Sequence, residues 1–501
     1  MMEINLTGGQ SVLLTATLAF LCALVLLRRN KTRSTLSRTF PPAPLVDPAK
    51  CPDLGNFRDN WLSRRNNYGS VHRVLEPHGM YTTYIGDALT IKDVIDQPDR
   101  FDMSILHTGS APMWHMSPSA GEWFAHTGGA VTVRHSSHLL SGSRLASLQE
   151  RFVQAAARQL DAVQPGKKED LCQVVSEAFF QATMEALFTK SFPKGQYQEF
   201  VLWDAELNAF CLGMQSERAV QARDHFYKIA LQQIDESLSE CSLQVREQLN
   251  ELESKYGLSH EDAVAVVLRT AWLGSTQSPL SGAWLISILS RQPHNVSRIR
   301  NELQELQQNL GKPTEQIASN PDLLKGDNLP TLDNMVQELL RVYSAQSVPR
   351  MCLKDTVVRM MGPNNSVKEM QFKQGDILQI LFWNVHDSKL NKDWWPEVKG
   401  QGKKWQGALE TFDETRFQDS RRPGTVKVAG ETLRTWTPFG YGARVCPGRY
   451  WAVAEIKAFV LLFLDRFNVS DVGEMPRPDP QRWLGVLHAM DAMPATISAR
   501  S

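Results

Sequence analysis

The sequence predicts a mainly α-helical protein with a small β region, one large domain preceded by a single N-terminal transmembrane helix. Three observations point there. Helical patterns dominate the middle of the chain, and only Tyr81–Ile91 and Asp376–Phe382 have the look of strands. No internal repeat or low-complexity linker divides the 501 residues, whose 42 % hydrophobic and 22 % charged content is that of a folded globular chain. The third observation is the apolar run at the N-terminus.

Taken in order, residues 1–10 form a lumenal N-terminus and Ser11–Leu27 (SVLLTATLAFLCALVLL) the transmembrane anchor. The run is slightly short of the roughly 20 residues that a hydrocarbon core of about 30 Å requires. A thinner endoplasmic-reticulum bilayer and the snorkelling of Arg28 and Arg29 make up the difference. Basic residues follow the run (Arg28, Arg29, Lys31, Arg33) and none precedes it, so the body of the protein is expected in the cytosol. A cleaved signal would carry its charge first and end in a small-residue site, and neither is clear here. With this topology only the sequon at Asn5 meets the glycosylation machinery; those at Asn295, Asn364 and Asn468 stay silent. Residues 28–48 are a basic, proline-rich linker ending in FPPAPLVDP, and 49–501 form the globular domain.

Within that domain, Leu148–Leu160 and Glu169–Thr189 read as amphipathic or buried helices. A long helix starts after Ser259, whose spacing to Asp262 resembles a capping box, and runs to about Ser290 with Pro279 kinking it on the way. Asn295–Leu310, Thr331–Tyr343 and the apolar Tyr450–Phe467 complete the helical set.

Lys plus Arg equals Asp plus Glu, 54 each, which argues against a nucleic-acid-binding role, since phosphate contacts need a basic excess. The seven cysteines are scattered and never spaced as CxxC, so neither a zinc site nor a disulfide framework is expected.

One cysteine stands apart. PFGYGARVCPGR, Pro438–Arg449, surrounds Cys446 with glycines just ahead of the last apolar helix. A thiolate can be a nucleophile, a metal ligand or neither, and nucleophilic use needs a base that the neighbouring sequence lacks. Ligation of a haem iron needs a close backbone approach, N–H groups aimed at sulfur and a helix N-terminus to stabilise the anion. Gly440, Gly442 and Gly448 ahead of the helix suit that use, and Arg444 can pair with a haem propionate.

At this loop the sequence resembles the cytochrome P450 family, whose pattern F-x-x-G-x-R-x-C-x-G is matched by Phe439, Gly442, Arg444, Cys446 and Gly448. Two further elements fit the resemblance. Glu338 and Arg341 form the family's E-x-x-R on one helix face. FDETRF, Phe412–Phe417, resembles its F-x-P-E-R-F element, with Arg416 kept and Glu414 and Thr415 replacing the proline and glutamate. The resemblance implies that Glu338, Arg341 and Arg416 hold the core behind the cofactor, and that Arg350 in SVPR is a second propionate contact. It also implies haem b with Cys446 as the axial ligand to iron, an NADPH–cytochrome reductase as electron donor (cytochrome b5 being an alternative) and a membrane-associated apolar substrate. NADPH would act only through the reductase.

The sequence departs from the family in two places. Where the long helix should read A/G-G-x-D/E-T-T/S, it reads Leu273-Gly274-Ser275-Thr276-Gln277-Ser278. Gly274 is kept, leaving room for dioxygen, while Thr276 holds the acid position and Gln277 the alcohol position. An amide cannot shuttle protons as a carboxylate can. A one-residue shift would place Thr276 in the alcohol position but still leave no acid. The region loosely resembles the branch that contains cholesterol 7α-hydroxylase and prostacyclin synthase. Upstream, the family's W-x-x-x-R has no counterpart near Ser137; Arg134, His135 and His138 are the substitutes at hand.

The expected function is therefore a haem-thiolate monooxygenase of the endoplasmic-reticulum membrane. It would oxidise a terpenoid, steroid, fatty acid or polyketide, in specialised-metabolite biosynthesis. Arg434, Arg449 and Lys457 are expected to add positive charge for an acidic reductase. The rivals are a redox-neutral isomerase or dehydratase of a peroxide or epoxide, and a non-catalytic haem sensor.

Overall fold

The structure is a computed structural model. It describes residues 43–500 apart from 48–49, 52–56, 77–80, 362–365, 388–396, 399–402, 405–411, 418–424, 429–430, 435 and 480–484. Asn5, the Ser11–Leu27 run and most of the linker lie outside the described residues. Among those described, no helix is long and apolar enough to cross a membrane.

Five helices build the core: α1 (Gly142–Asp161), α2 (Leu171–Leu187), α3 (His260–Ser290), α4 (Pro330–Tyr343) and α5 (Arg449–Arg466). In α1 the residues Leu145, Leu148, Phe152, Ala156 and Leu160 recur at helical spacing and are buried. By contrast α3 is apolar on almost every side, so it runs through the centre, packed on α2, α5 and α4. At Gly282 it comes so close to α2 that an added Cβ would lie 2.7 Å from the Phe179 ring. Phe179 then stacks on Phe459 of α5 with centroids 4.6 Å apart, so α2, α3 and α5 share one apolar core. Ser259 caps α3 by accepting from the Asp262 N–H, as its spacing suggested. The helix continues through Pro279 to Ser290.

A five-stranded sheet stands beside the helices. Its strands are β1 (Val71–Leu75), β2 (Tyr81–Ile85), β3 (Phe101–Asp102), β4 (Ser347–Cys352) and β5 (Ile377–Leu381), in the order β1-β2-β5-β4-β3. Only the β2–β5 pair is parallel. The expected strand Tyr81–Ile91 ends early, because Asp87 accepts from the Thr90 N–H (2.9 Å) and hydroxyl (2.6 Å) and caps a helix, Ala88–Ile95. A single N-cap overrides the β-branched residues that follow it. The Glu169 helix likewise starts late: Lys168–Asp170 pairs with the C-terminal strand Pro494–Ala499, and Asp170 then caps α2. Mainly helix with a small sheet is thus the observed class.

Candidate active site around Cys446

Cys446 lies between a 3₁₀ turn, Gly442–Arg444, and the first turn of α5. Its N–H donates to the Phe439 carbonyl at 2.8 Å, and Arg449 donates back to the Cys446 carbonyl at 2.9 Å. Burial pushes the thiol pKa up, while the N–H groups of Gly448 and Arg449 and the Arg449 charge act in the opposite sense, toward the anion. This is the sulfur environment that the loop sequence suggested. Gly442 also has a reason of its own within the fold. Its φ is +72°, and an added Cβ would lie 2.3 Å from Ile95, so the turn and a packed isoleucine demand glycine there.

Behind the loop, Glu338 on α4 is fully enclosed. It accepts from Arg341 Nε and Nη2 at 2.8 Å each, from Arg416 Nε at 3.0 and 3.1 Å, and from the Asp413 N–H at 2.8 Å. All three expected structural residues meet in one buried cluster.

A second arginine lies near Arg444 of the 3₁₀ turn. Arg350 on β4 is buried, and burial lowers its pKa to about 9, with the nearby Arg444 pushing the same way and Asp102 opposing. A pocket that holds two guanidiniums close together is a place for an anion. His107, in the helix Ser104–Ser110, lies within electrostatic reach of both; burial and these charges hold it neutral, and its Nδ1 has no partner. Leu273 of α3 is 42 % accessible in a helix otherwise packed on nearly all sides. Donor thiol, cationic cradle and open apolar wall fit an iron porphyrin with carboxylate side chains.

The α3 residues singled out by sequence diverge. An added Cβ on Gly274 would lie 3.1 Å from Trp451 of α5, so an indole packs against the glycine on that side. Thr276 donates to Trp272 O at 2.9 Å and to Asp204 Oδ1 at 3.3 Å. Asp204, on the helix Tyr197–Ala205, also faces His488 Nε2 at 3.7 Å. Gln277 Oε1 accepts from the Val486 N–H at 2.5 Å, tying α3 to the strand Gly485–Val486.

Of the substitutes near Ser137, His135 pairs with Glu251, His138 meets Arg144 at 2.8 Å and Arg134 is exposed. Lys457 is also corrected: it is buried, paired with Asp333 and donating to Leu324 O at 2.7 Å, so it offers no charge to a partner. Arg434 is exposed and Arg449 partly so. Neither His107 nor Asp204 carries a sequence signal, because their partners are 72 or more residues away or on other elements.

The pattern of the cytochrome P450 family matches residues 134–493, well over half of the chain. This chain belongs to that family. The P450 cofactor is haem held by a cysteine thiolate, which the geometry around Cys446 suits. Human 7-alpha-hydroxycholest-4-en-3-one 12-alpha-hydroxylase is 27 % identical over 42 % of this chain and 40 % of its own length. Cholesterol 7-alpha-monooxygenase of Cricetulus griseus is 24 % identical over 82 % of this chain and 83 % of its own. Prostacyclin synthase of Rattus norvegicus is 25 % identical over 49 % and 46 %. The matched stretch spans about two fifths of the length of the first of these relatives. All three lie in the branch that the α3 sequence suggested.

Proposed function

We propose that this P450 is a monooxygenase that inserts oxygen into an apolar, polycyclic small molecule of sterol or terpenoid type. The observation that carries the reading is the seat of Cys446, with the Gly448 and Arg449 N–H groups on its sulfur, Arg444 in the turn before it and Arg350 within electrostatic reach of Arg444. The haem, when bound, supplies activation of dioxygen. Cys446 would hold its iron, and Arg350 and Arg444 would take its carboxylates. Phe439 receives the Cys446 N–H and so holds the loop closed.

Proton supply is reassigned to Asp204. Its carboxylate faces the Thr276 hydroxyl, so the acid missing from α3 comes from the neighbouring helix, with His488 beside it. Thr276 passes the proton along α3; Gln277 holds the Gly485–Val486 strand. The hydroxylase and monooxygenase names of two relatives support a sterol-like scaffold. A specialised-metabolite role remains part of the proposal, as do endoplasmic-reticulum anchoring through Ser11–Leu27, glycosylation at Asn5 and docking of a reductase near Arg434 and Arg449.

The amide at Gln277 favours one second reading, a redox-neutral isomerase like the prostacyclin synthases among the relatives. A carbon-monoxide difference spectrum separates the two. Reduction by NADPH and reductase to a thiolate-type Soret band is expected for the monooxygenase. The same band with dithionite alone selects the isomerase, and no such band in folded, haem-loaded protein overturns both.

A further inference from the structure

One face of α3, formed by Arg269, Thr270, Leu273, Gly274 and Gln277, is partly accessible where the rest of the helix middle is packed. Four of these residues are apolar or hold a hydrogen-bonding partner of their own: Thr270 takes the Gln248 amide at 2.9 Å and Gln277 the Val486 N–H. Arg269 does neither. Its guanidinium lies over the Phe124 ring at 4.7 Å and the Trp114 ring at 5.6 Å, and its Nε is buried without a partner. Among the described residues no carboxylate forms an ion pair with it. Burial alone lowers its pKa to about 10, with no acid opposing, so at neutral pH the group is still a cation.

His107 stands edge-on to the same Phe124 ring, centroids 5.1 Å apart, and its Nδ1 is likewise buried without a partner. A histidine in this position sheds its proton, and His107 does so. An arginine cannot. A fixed cation with aromatic walls and no counter-charge is a receptor for a planar anion, which a guanidinium binds in a two-pronged way.

We infer that Arg269, assisted by His107, binds a carboxylate carried on an apolar skeleton. The inference rests on the haem-thiolate reading of the site and narrows it: the substrate is an acid. A carboxylate here has two sources, the substrate and a haem propionate. Arg350 and Arg444 lie within electrostatic reach of each other and are the pair assigned to the propionates, whereas Arg269 shares its helix face with Leu273.

The test uses the haem-loaded full chain, as wild type, Arg269→Met and Arg269→Lys. Each is titrated with 5β-cholanic acid and with its methyl ester, read by the Soret shift, and haem transfer to apomyoglobin is timed in parallel. Wild type is expected to favour the acid over the ester by roughly ten- to a hundredfold, the scale of hydrogen bonds to a charged group. Arg269→Met should lose that preference with haem release unchanged, and Arg269→Lys should keep part of it. Accelerated haem release from Arg269→Met, with the acid preference intact, assigns the carboxylate to a propionate instead. Equal acid and ester affinity in wild type, with haem release indifferent to the substitution, overturns the inference. A missing thiolate band in wild type is a separate failure, that of the haem reading. Because Arg269→Met removes an unpaired buried charge, the ligand-free enzyme should melt no lower than wild type; a large fall would mean that Arg269 holds the fold and sink the assignment.

Discussion

Two buried arginine sites of this molecule differ in one respect. Behind the cysteine loop, Arg341 and Arg416 share a single enclosed carboxylate, Glu338, which takes five hydrogen bonds from them and the Asp413 N–H. On α3, Arg269 has aromatic rings and, among the described residues, no acid. In the first site both guanidiniums have a carboxylate partner, which fits a holding role. The second is open and fits a ligand that brings the missing charge.

Breaking the closed site should have the largest effect. Glu338→Ala leaves two guanidiniums buried beside no carboxylate, an expected loss of about 3–5 kcal/mol. The variant should unfold at much lower denaturant and fail to keep haem. Replacing Glu338, Arg341 and Arg416 together by Met, Met and Leu should recover most of that loss, since no charge is then left unpaired. A triple variant as unstable as Glu338→Ala would show that the cluster does more than neutralise itself.

Histidines show a third way to meet the same difficulty. His72 on β1 is fully buried, stacked on Trp61 at 4.6 Å, with Nδ1 against the Gly69 carbonyl at 3.0 Å. Burial lowers its pKa from 6.5 to about 4, so the folded protein holds it neutral. The unfolded chain takes up the proton first. Its contribution is thus complete above pH 6.5 and lost as the pH falls toward 4, up to roughly 3 kcal/mol. Unfolding midpoints of wild type and His72→Phe between pH 4 and 7.5 check this. The variant should have the flatter profile, and parallel profiles would remove His72 from the account.

Legibility in the sequence follows the same division. Glu338 and Arg341 are three residues apart on one helix, and the Cys446 loop spans ten positions, so local spacing reveals both. Helix periods were readable because α1 and α5 bury faces at regular intervals; their ends moved where a cap or an edge strand intervened, as at Asp87 and Asp170. Arg269, His107 and Asp204 follow no period and belong to no motif. Their meaning comes from what faces them across the fold. At Gly274 the motif aligned, and the fold adds what the motif does not show, the Trp451 indole of α5 packed against it.

The proton route offers a smaller test, on catalysis rather than stability. Asp204→Asn keeps the shape beside Thr276 but removes the acid, and it should divert about tenfold more reducing equivalents to hydrogen peroxide, the scale of a general-acid contribution at its low end. Peroxide released per NADPH, measured against pH and in deuterated water, distinguishes this from a packing defect, which would change neither profile. Unaltered coupling would return the missing acid to some other group.

The smallest expected effect concerns Gln277, which the family pattern places in the proton path and the structure ties to Val486. If its role is to hold the Gly485–Val486 strand against α3, Gln277→Ala should cost about 1 kcal/mol locally, the worth of one hydrogen bond. Amide exchange at Val486 should then quicken roughly fivefold, while peroxide release stays near the wild-type level. The strand pairs with Ser344–Ala345 at the end of α4, so the loosening should reach those amides but not the Glu338 cluster one turn earlier. Peroxide release rising with unchanged exchange at Val486 would put Gln277 back in the proton path and make Asp204 a bystander.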